Sequence, residues 1–294
     1  MKQLLSQPRS ARLGIMRAKS SWLVAWFTLS LLLVAGCAPA LKGQTAASQA
    51  PLDTKSELVE QLEAAQRRTR ENPEDPEAFY RLAVVLTQLG QLPEAIQAHD
   101  RALALNPNEI KAIIAQGMVL AELDQLEKAA HQLSKAVRLL PHNTQPRVQL
   151  ALIYERLGRL DEAEAELNRA LGLNPTDSFI YTDLALLYSH QGRDDASLRA
   201  LMKAIEMDPN NVLARNNLGL TLAQLGYPQE AIKQLERAVQ IDPRDASTRV
   251  NLAALYEAQG QLKEAESQLE QALSLEPGLK GARERLERLK NRQR

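Results

Sequence analysis

The sequence predicts an all-α protein, a solenoid of stacked helix pairs closed by a capping helix at each end. Three observations carry this expectation. Pro73, Pro107, Pro141, Pro175, Pro209, Pro243 and Pro277 follow one another at intervals of 34 residues without insertion or deletion, and a fixed period of that size marks stacked supersecondary units. Within each period, apolar residues recur at i, i+3 or i+4 and i+7 on two successive stretches, the pattern of two amphipathic helices. Gly90, Gly158, Gly192, Gly226 and Gly260 fall between those stretches, where a chain reversing after a helix needs a left-handed residue.

In chain order, the first element is an address. Lys2, Arg9, Arg12, Arg17 and Lys19 precede Cys37 and no Asp or Glu does. The apolar run SWLVAWFTLSLLLVA (21–35) that follows has the length of a signal-peptide core and is short for a spanning helix. A secreted protein, an uncleaved signal anchor and a thiol buried in a hydrophobic helix are the other readings of this run. Met16 is an alternative start that leaves the same mature chain. Cys37 is the only cysteine, which excludes an intrachain disulfide framework and multi-cysteine zinc patterns. No His lies before His99, so nothing near Cys37 activates it as a nucleophile. The formal charge is zero, but without residues 1–36 the chain keeps 31 basic residues against 36 acidic ones, a net of −5. A mildly acidic body carries no electrostatic footprint for nucleic acid.

The exit from the apolar run, V-A-G-C (34–37) leading into APALKGQTAASQAP, resembles the lipobox of bacterial lipoproteins. That resemblance implies cleavage after Gly36, a 1–36 signal peptide, lipid on Cys37, and residues 37–55 as a flexible tether. It also implies a cell-envelope location. Ala38, where an Asp favours inner-membrane retention in many Gram-negative lipoproteins, points to the outer membrane facing the periplasm.

The stretch SELVEQLEAAQRRTREN (56–72) places Leu58, Leu62 and Ala65 at helical spacing and reads, over 56–75, as an N-terminal capping helix. Six units then begin at Pro76, Ile110, Thr144, Ser178, Val212 and Ala246 and run to residue 279. The pairs Asn106-Pro107, Asn174-Pro175, Asp208-Pro209 and Asp242-Pro243 end the second helix of their units, because the residue before proline is pushed out of helical geometry. In the second unit Asp124 stands where the others have glycine, which predicts a slightly strained turn. Residues 280–294 read as a C-terminal cap with Leu279, Ala282, Leu286 and Leu289 on one face and basic residues elsewhere. An array of repeats needs such ends, since a terminal unit would otherwise show its apolar face to water.

Leu218, Gly219, Leu222, Ala231, Leu235, Ala238 and Pro243 of one unit, and Leu252, Ala253, Tyr256, Ala265, Leu269, Ala272 and Pro277 of the next, occupy the signature positions of the tetratricopeptide (TPR) pattern. Residues 76–279 resemble the TPR family, which implies a right-handed superhelical solenoid of helix-turn-helix repeats. The departures are Gln116 for the signature Leu, Ser197 for the first Ala of its second helix, His99 for the large residue four positions later, and the absence of Trp.

Catalysis is not expected. His99, His131, His142 and His190 do not converge, and no metalloprotease motif, phosphate loop or nucleophile elbow is present. Asp194-Asp195 sit at a helix start, where carboxylates favour the macrodipole, so neither a metal nor a cofactor is expected.

The TPR resemblance implies instead a groove lined by the first helix of each unit, with positions two, five, nine, twelve and thirteen facing it. Position five carries Tyr80, Ile114, Val148, Thr182, Asn216 and Val250, and position nine carries Val84, Met118, Leu152, Leu186, Leu220 and Ala254. This largely apolar stripe is the candidate partner site, unless neighbouring helices cover it. Asn216, Asn217 and Asn251 add carboxamides able to grip an extended peptide backbone. Tyr80 and Val84 take the first positions of the family's carboxylate clamp, which argues against a clamp for C-terminal carboxylates. The expectation is a lipid-anchored scaffold or adaptor binding a peptide segment or helix of an envelope protein. It is similar to the TPR lipoproteins that assist pilus, secretion or polysaccharide-export machines. The alternative is a structural protein that self-associates and grips no peptide.

Overall fold

The computed structural model describes residues 52–293, so Cys37, the expected signal peptide and most of the expected tether lie outside the described residues. Among these residues there are fourteen helices and no strand. The first, α1 (Leu52–Glu71), begins inside the stretch expected to be a flexible tether, so its last four residues are helical. The helix pairs follow: α2 (Pro76–Gln88) and α3 (Leu92–Leu105), α4 (Ile110–Glu122) and α5 (Leu126–Leu139), α6 (Thr144–Arg156) and α7 (Leu160–Leu173). Then come α8 (Ser178–His190) and α9 (Asp194–Met207), α10 (Val212–Gln224) and α11 (Pro228–Ile241), and α12 (Ala246–Ala258) and α13 (Leu262–Leu275), with α14 (Lys280–Gln293) last. We call the first helix of each pair A and the second B. The chain divides after Pro175 into two compact units, each a stack of such pairs.

Every A helix opens behind an acidic or amide residue. Asp75, Asn143, Asp177, Asn211 and Asp245 accept hydrogen bonds from backbone N–H groups of the first turn, meeting donors that no helical carbonyl reaches. Glu109, one methylene longer, makes no such bond. The A-to-B turn closes through a left-handed residue in each repeat. The five glycines have φ between 67° and 84°, and Asp124 has φ 58°. Arg156 of the following repeat donates to Ala121 O at 2.9 Å and to Asp124 Oδ1 at 3.1 Å, holding the one turn that a glycine does not relax. B helices end at Asn106, Asn174, Asp208 and Asp242, whose ψ of 85–100° leads into the following proline.

In the first unit the core is built from Ala83, Leu86, Ala95 and Val119 at one end and Leu120, Ala129, Leu133, Leu150 and Ile153 at the other. Leu62 of α1 packs against the former. In the second unit one cluster runs from Ala185 to Leu289 and takes in Ala282 of α14, so the last helix covers the final pair.

Position eight of the A helix is where a B helix approaches most closely. It is alanine at Ala83, Ala151, Ala185 and Ala253, all fully or almost fully buried, but glycine at Gly117 and Gly219. A Cβ on Gly219 would lie 2.8 Å from Leu235 Cγ and 3.1 Å from the Ala231 carbonyl oxygen, whereas one on Gly117 meets Leu133 Cγ at 3.0 Å and backbone only at 3.6 Å. Alanine gains about 1 kcal/mol of helix propensity at either site, against an overpacking cost of about 1–3 kcal/mol. Gly219→Ala is therefore expected to lose about 1–2 kcal/mol in urea unfolding, while Gly117→Ala stays within about 0.5 kcal/mol of the parent. Equal effects at the two sites would show that backbone proximity does not decide the outcome.

An arginine at position four of several A helices reaches back over the turn between repeats. Arg147 donates to Pro141 O, Arg215 to Pro209 O, Arg249 to Pro243 O and Arg283 to Pro277 O. These carbonyls lie beyond the helix end, where no backbone N–H reaches them.

Candidate functional site

The A-helix faces of the two units differ. In the first unit α2, α4 and α6 present Tyr80, Ile114 and Val148 at position five and Val84, Met118 and Leu152 at position nine, and all six are half-buried with surface left to touch a partner. This is an apolar face with its side chains anchored and their outer edges wet.

In the second unit the same face is mostly closed, which corrects the expectation for five residues. Thr182 has no exposed surface; its hydroxyl donates to Ser178 O at 2.9 Å and accepts from Asn211 Nδ2 at 3.4 Å. Leu186, Asn217 and Leu220 are 9%, 7% and 5% exposed, and Ala254 is buried too. Asn211, which also donates to Ser178 Oγ at 3.0 Å, ties α8 to α10 and seals the face around Thr182. Asn216, Val250 and Asn251 keep surface. Asn251 Nδ2 donates to Asn216 Oδ1 at 2.9 Å, while the Thr248 hydroxyl spends its one proton on the Asp245 carboxylate. The Asn216 carbonyl is thus used internally, while its amide N–H groups and the Asn251 carbonyl are left for a ligand backbone.

Two further residues belong to this face. Phe179 and Leu213, 61% and 44% exposed, stand at position two of consecutive A helices in register. Their sequence signal is an aromatic and a leucine at position two, one of the positions that the TPR pattern turns to the groove.

Beneath the first unit's face lies a polar fault. His99, on α3, is fully buried with neither ring nitrogen partnered, and its ring centroid is 6.1 Å from that of Tyr80. Burial pushes its pKa down to about 4. Gln116 on α4 is also buried. Its Nε2 donates to Asp100 Oδ1 at 2.6 Å, and its Oε1 has no partner. His131 and His190 are exposed on α5 and α8, and His142 is exposed in the turn before α6. Asp194 and Asp195 open α9, where burial and then the neighbouring Asp195 charge raise the Asp194 pKa.

Fold and site together define a TPR repeat protein, a class whose members are in general non-catalytic scaffolds that engage other proteins. The family described as the cilia and flagella-associated protein 70 C-terminal domain matches residues 33–247, and a tetratricopeptide-repeat family matches residues 222–286. The chain belongs to the first of these, a TPR family. Among curated proteins none matches it. Among solved structures, a tetratricopeptide repeat protein from Parabacteroides merdae is similar at TM-score 0.65 and 20% identity, over 80% of this chain and 93% of that one. A chain of the APC/C hetero-tetramer Cut9-Hcn1 is similar at TM-score 0.60 and 17% identity, over 80% of this chain but 46% of that one, so this protein spans about half its length. At these identities the likeness is one of fold.

Proposed function

We propose that this protein is a lipid-anchored scaffold that holds a peptide segment or helix of an envelope protein against its A helices during assembly of a pilus, secretion or polysaccharide-export machine. The observation that carries the binding half is the half-buried apolar face Tyr80, Val84, Ile114, Met118, Val148 and Leu152. A contiguous apolar patch left at the surface marks an interaction site. The anchoring half rests on V-A-G-C and the polar stretch after it, with Cys37 as the tether and residues 38–51 as spacer. A tether of that kind raises the effective concentration of the scaffold near partners at the same membrane.

The test is capture of the full chain from its native membranes, followed by mass spectrometry, with the double variant Met118→Ala/Leu152→Ala beside the parent. Each truncation removes about 1–2 kcal/mol of apolar contact, so the co-purified envelope protein is expected to fall at least about tenfold with helicity unchanged. Unchanged capture would move the interface off this face, and recovery of this chain alone would favour self-association. Cys37→Ser is expected to shift the chain from the membrane to the soluble fraction.

A further inference from the structure

The second unit carries a cleft of about 440 Å³ where B helices α9 and α11 flank A helix α10. Its apolar lining is Met202, Ile205 and Leu218, and its charged lining is Arg199, Lys203, Arg215 and Glu206. Lys203 is bonded to Glu206 at 3.0 Å. Arg199 and Arg215 form no ion pair among the described residues, the nearest charge partner of Arg215 being Asp208. Arg215 spends its donors on Pro209 O at 2.7 and 2.9 Å and on Gln234 Oε1 at 3.1 Å. Neighbouring Arg237 bonds the neutral Gln240, and among the described residues Arg199 pairs with no carboxylate.

The first unit shows what a neutralised version looks like. There Arg147, at the position of Arg215, makes a 2.9 Å ion pair with Glu166, at the position of Gln234. Replacing that carboxylate by a carboxamide keeps the hydrogen bond and removes the countercharge. The same exchange recurs one repeat on, where Arg249 donates to Gln268 Oε1 at 2.9 Å. Lys233 and Arg237 stand 34 residues beyond Arg199 and Lys203, so the charge continues along the B helices. Burial, and then the proximity of Arg237, lower the Arg215 pKa, and the Asp208 carboxylate acts in the opposite direction.

We infer that this cleft is a second docking site, separate from the A-helix face, for an acidic protein segment that sets carboxylates against Arg199 and Arg215 and an apolar side chain on the partly exposed Met202 and Ile205. Charge complementarity selects the sign of the partner, and the apolar floor selects a side chain over a free inorganic anion. A segment fits where a bilayer does not. The floor lies between two B helices, where a single side chain reaches it and a flat headgroup plane does not.

The experiment uses the full chain in detergent micelles and a labelled synthetic peptide alternating Glu and Leu, followed by fluorescence anisotropy at low salt. Binding is expected, weakening steeply as salt shortens the screening length from about 10 Å at 0.1 M. It is expected to fall at least about tenfold in Arg199→Glu/Lys203→Glu, and several-fold in Gln234→Glu, which restores the pairing seen at Glu166. Met118→Ala/Leu152→Ala is expected to leave it unchanged, which separates this site from the A-helix face. No binding of the peptide, or equal binding by parent and both cleft variants, overturns the inference. So does charge-dependent binding to phosphatidylglycerol vesicles in place of the peptide, or a dimer in sedimentation that dissociates in the cleft variants.

Discussion

Leu235→Ala is expected to cost about 3 kcal/mol of unfolding free energy, within the usual 2–5 kcal/mol for a buried leucine. Leu235 is fully buried, and its Cγ and Cδ2 lie where a side chain on Gly219 would begin, 2.8 and 3.0 Å from that virtual Cβ. The leucine fills the space that the glycine leaves open, so removing it creates a cavity between α10 and α11 that neither helix can close alone. The same geometry makes a second variant informative. In Gly219→Ala/Leu235→Ala the new methyl enters the vacated space, so the double variant is expected to lose about 1 kcal/mol less than the two singles together. Urea unfolding of the four proteins measures this coupling. Simple additivity would mean that the two residues do not share a space.

The second large effect concerns the same repeat position. Leu133, Leu167, Leu201, Leu235 and Leu269 are its occupants in five units, each at most 3% exposed, and in the remaining unit the occupant is His99, equally buried. An unfolded histidine takes up a proton near pH 6.5, but buried His99 does so only near pH 4. Between those values the unfolded chain binds more protons than the folded one, so stability present above pH 6.5 is lost as pH falls toward 4. The separation of 6.5 and about 4 corresponds to about 3 kcal/mol. His99→Leu restores the residue of the other repeats and removes two unpartnered nitrogens, worth about 1–3 kcal/mol at pH 7. The stability gap between variant and parent is expected to widen by about 3 kcal/mol between pH 7 and pH 4. A gap that stays constant with pH would mean that His99 takes up its proton at the same pH in the folded and the unfolded chain. Because Tyr80 lies against His99, the A-helix face of the first unit should loosen over the same range.

Of the three substitutions that depart from the repeat pattern, His99 and Gln116 carry unpartnered buried atoms and Ser197 does not. A polar side chain at a position where five other repeats place leucine is a local exception legible without coordinates, though its missing partners are not.

What the sequence alone determined is what lies within one repeat. The helix starts at Pro76, Ile110, Thr144, Ser178, Val212 and Ala246, the left-handed turn residues with Asp124 among them, and the helix ends at Asn106, Asn174, Asp208 and Asp242 before proline all follow from spacing and backbone preference. These are local properties, written in residues a few positions apart. What only the tertiary structure decided is which side chains of an A helix still meet solvent. Val148 and Thr182 hold the same repeat position, yet Val148 keeps surface and Thr182 has none, because Asn211 of the next helix closes over it. The partner of Arg215 is likewise set by packing, which places the neutral Gln234 against it where Glu166 meets Arg147. Accessibility and charge balance are set by neighbours that stacking brings together, and a period of 34 residues describes each repeat without describing what its neighbour covers.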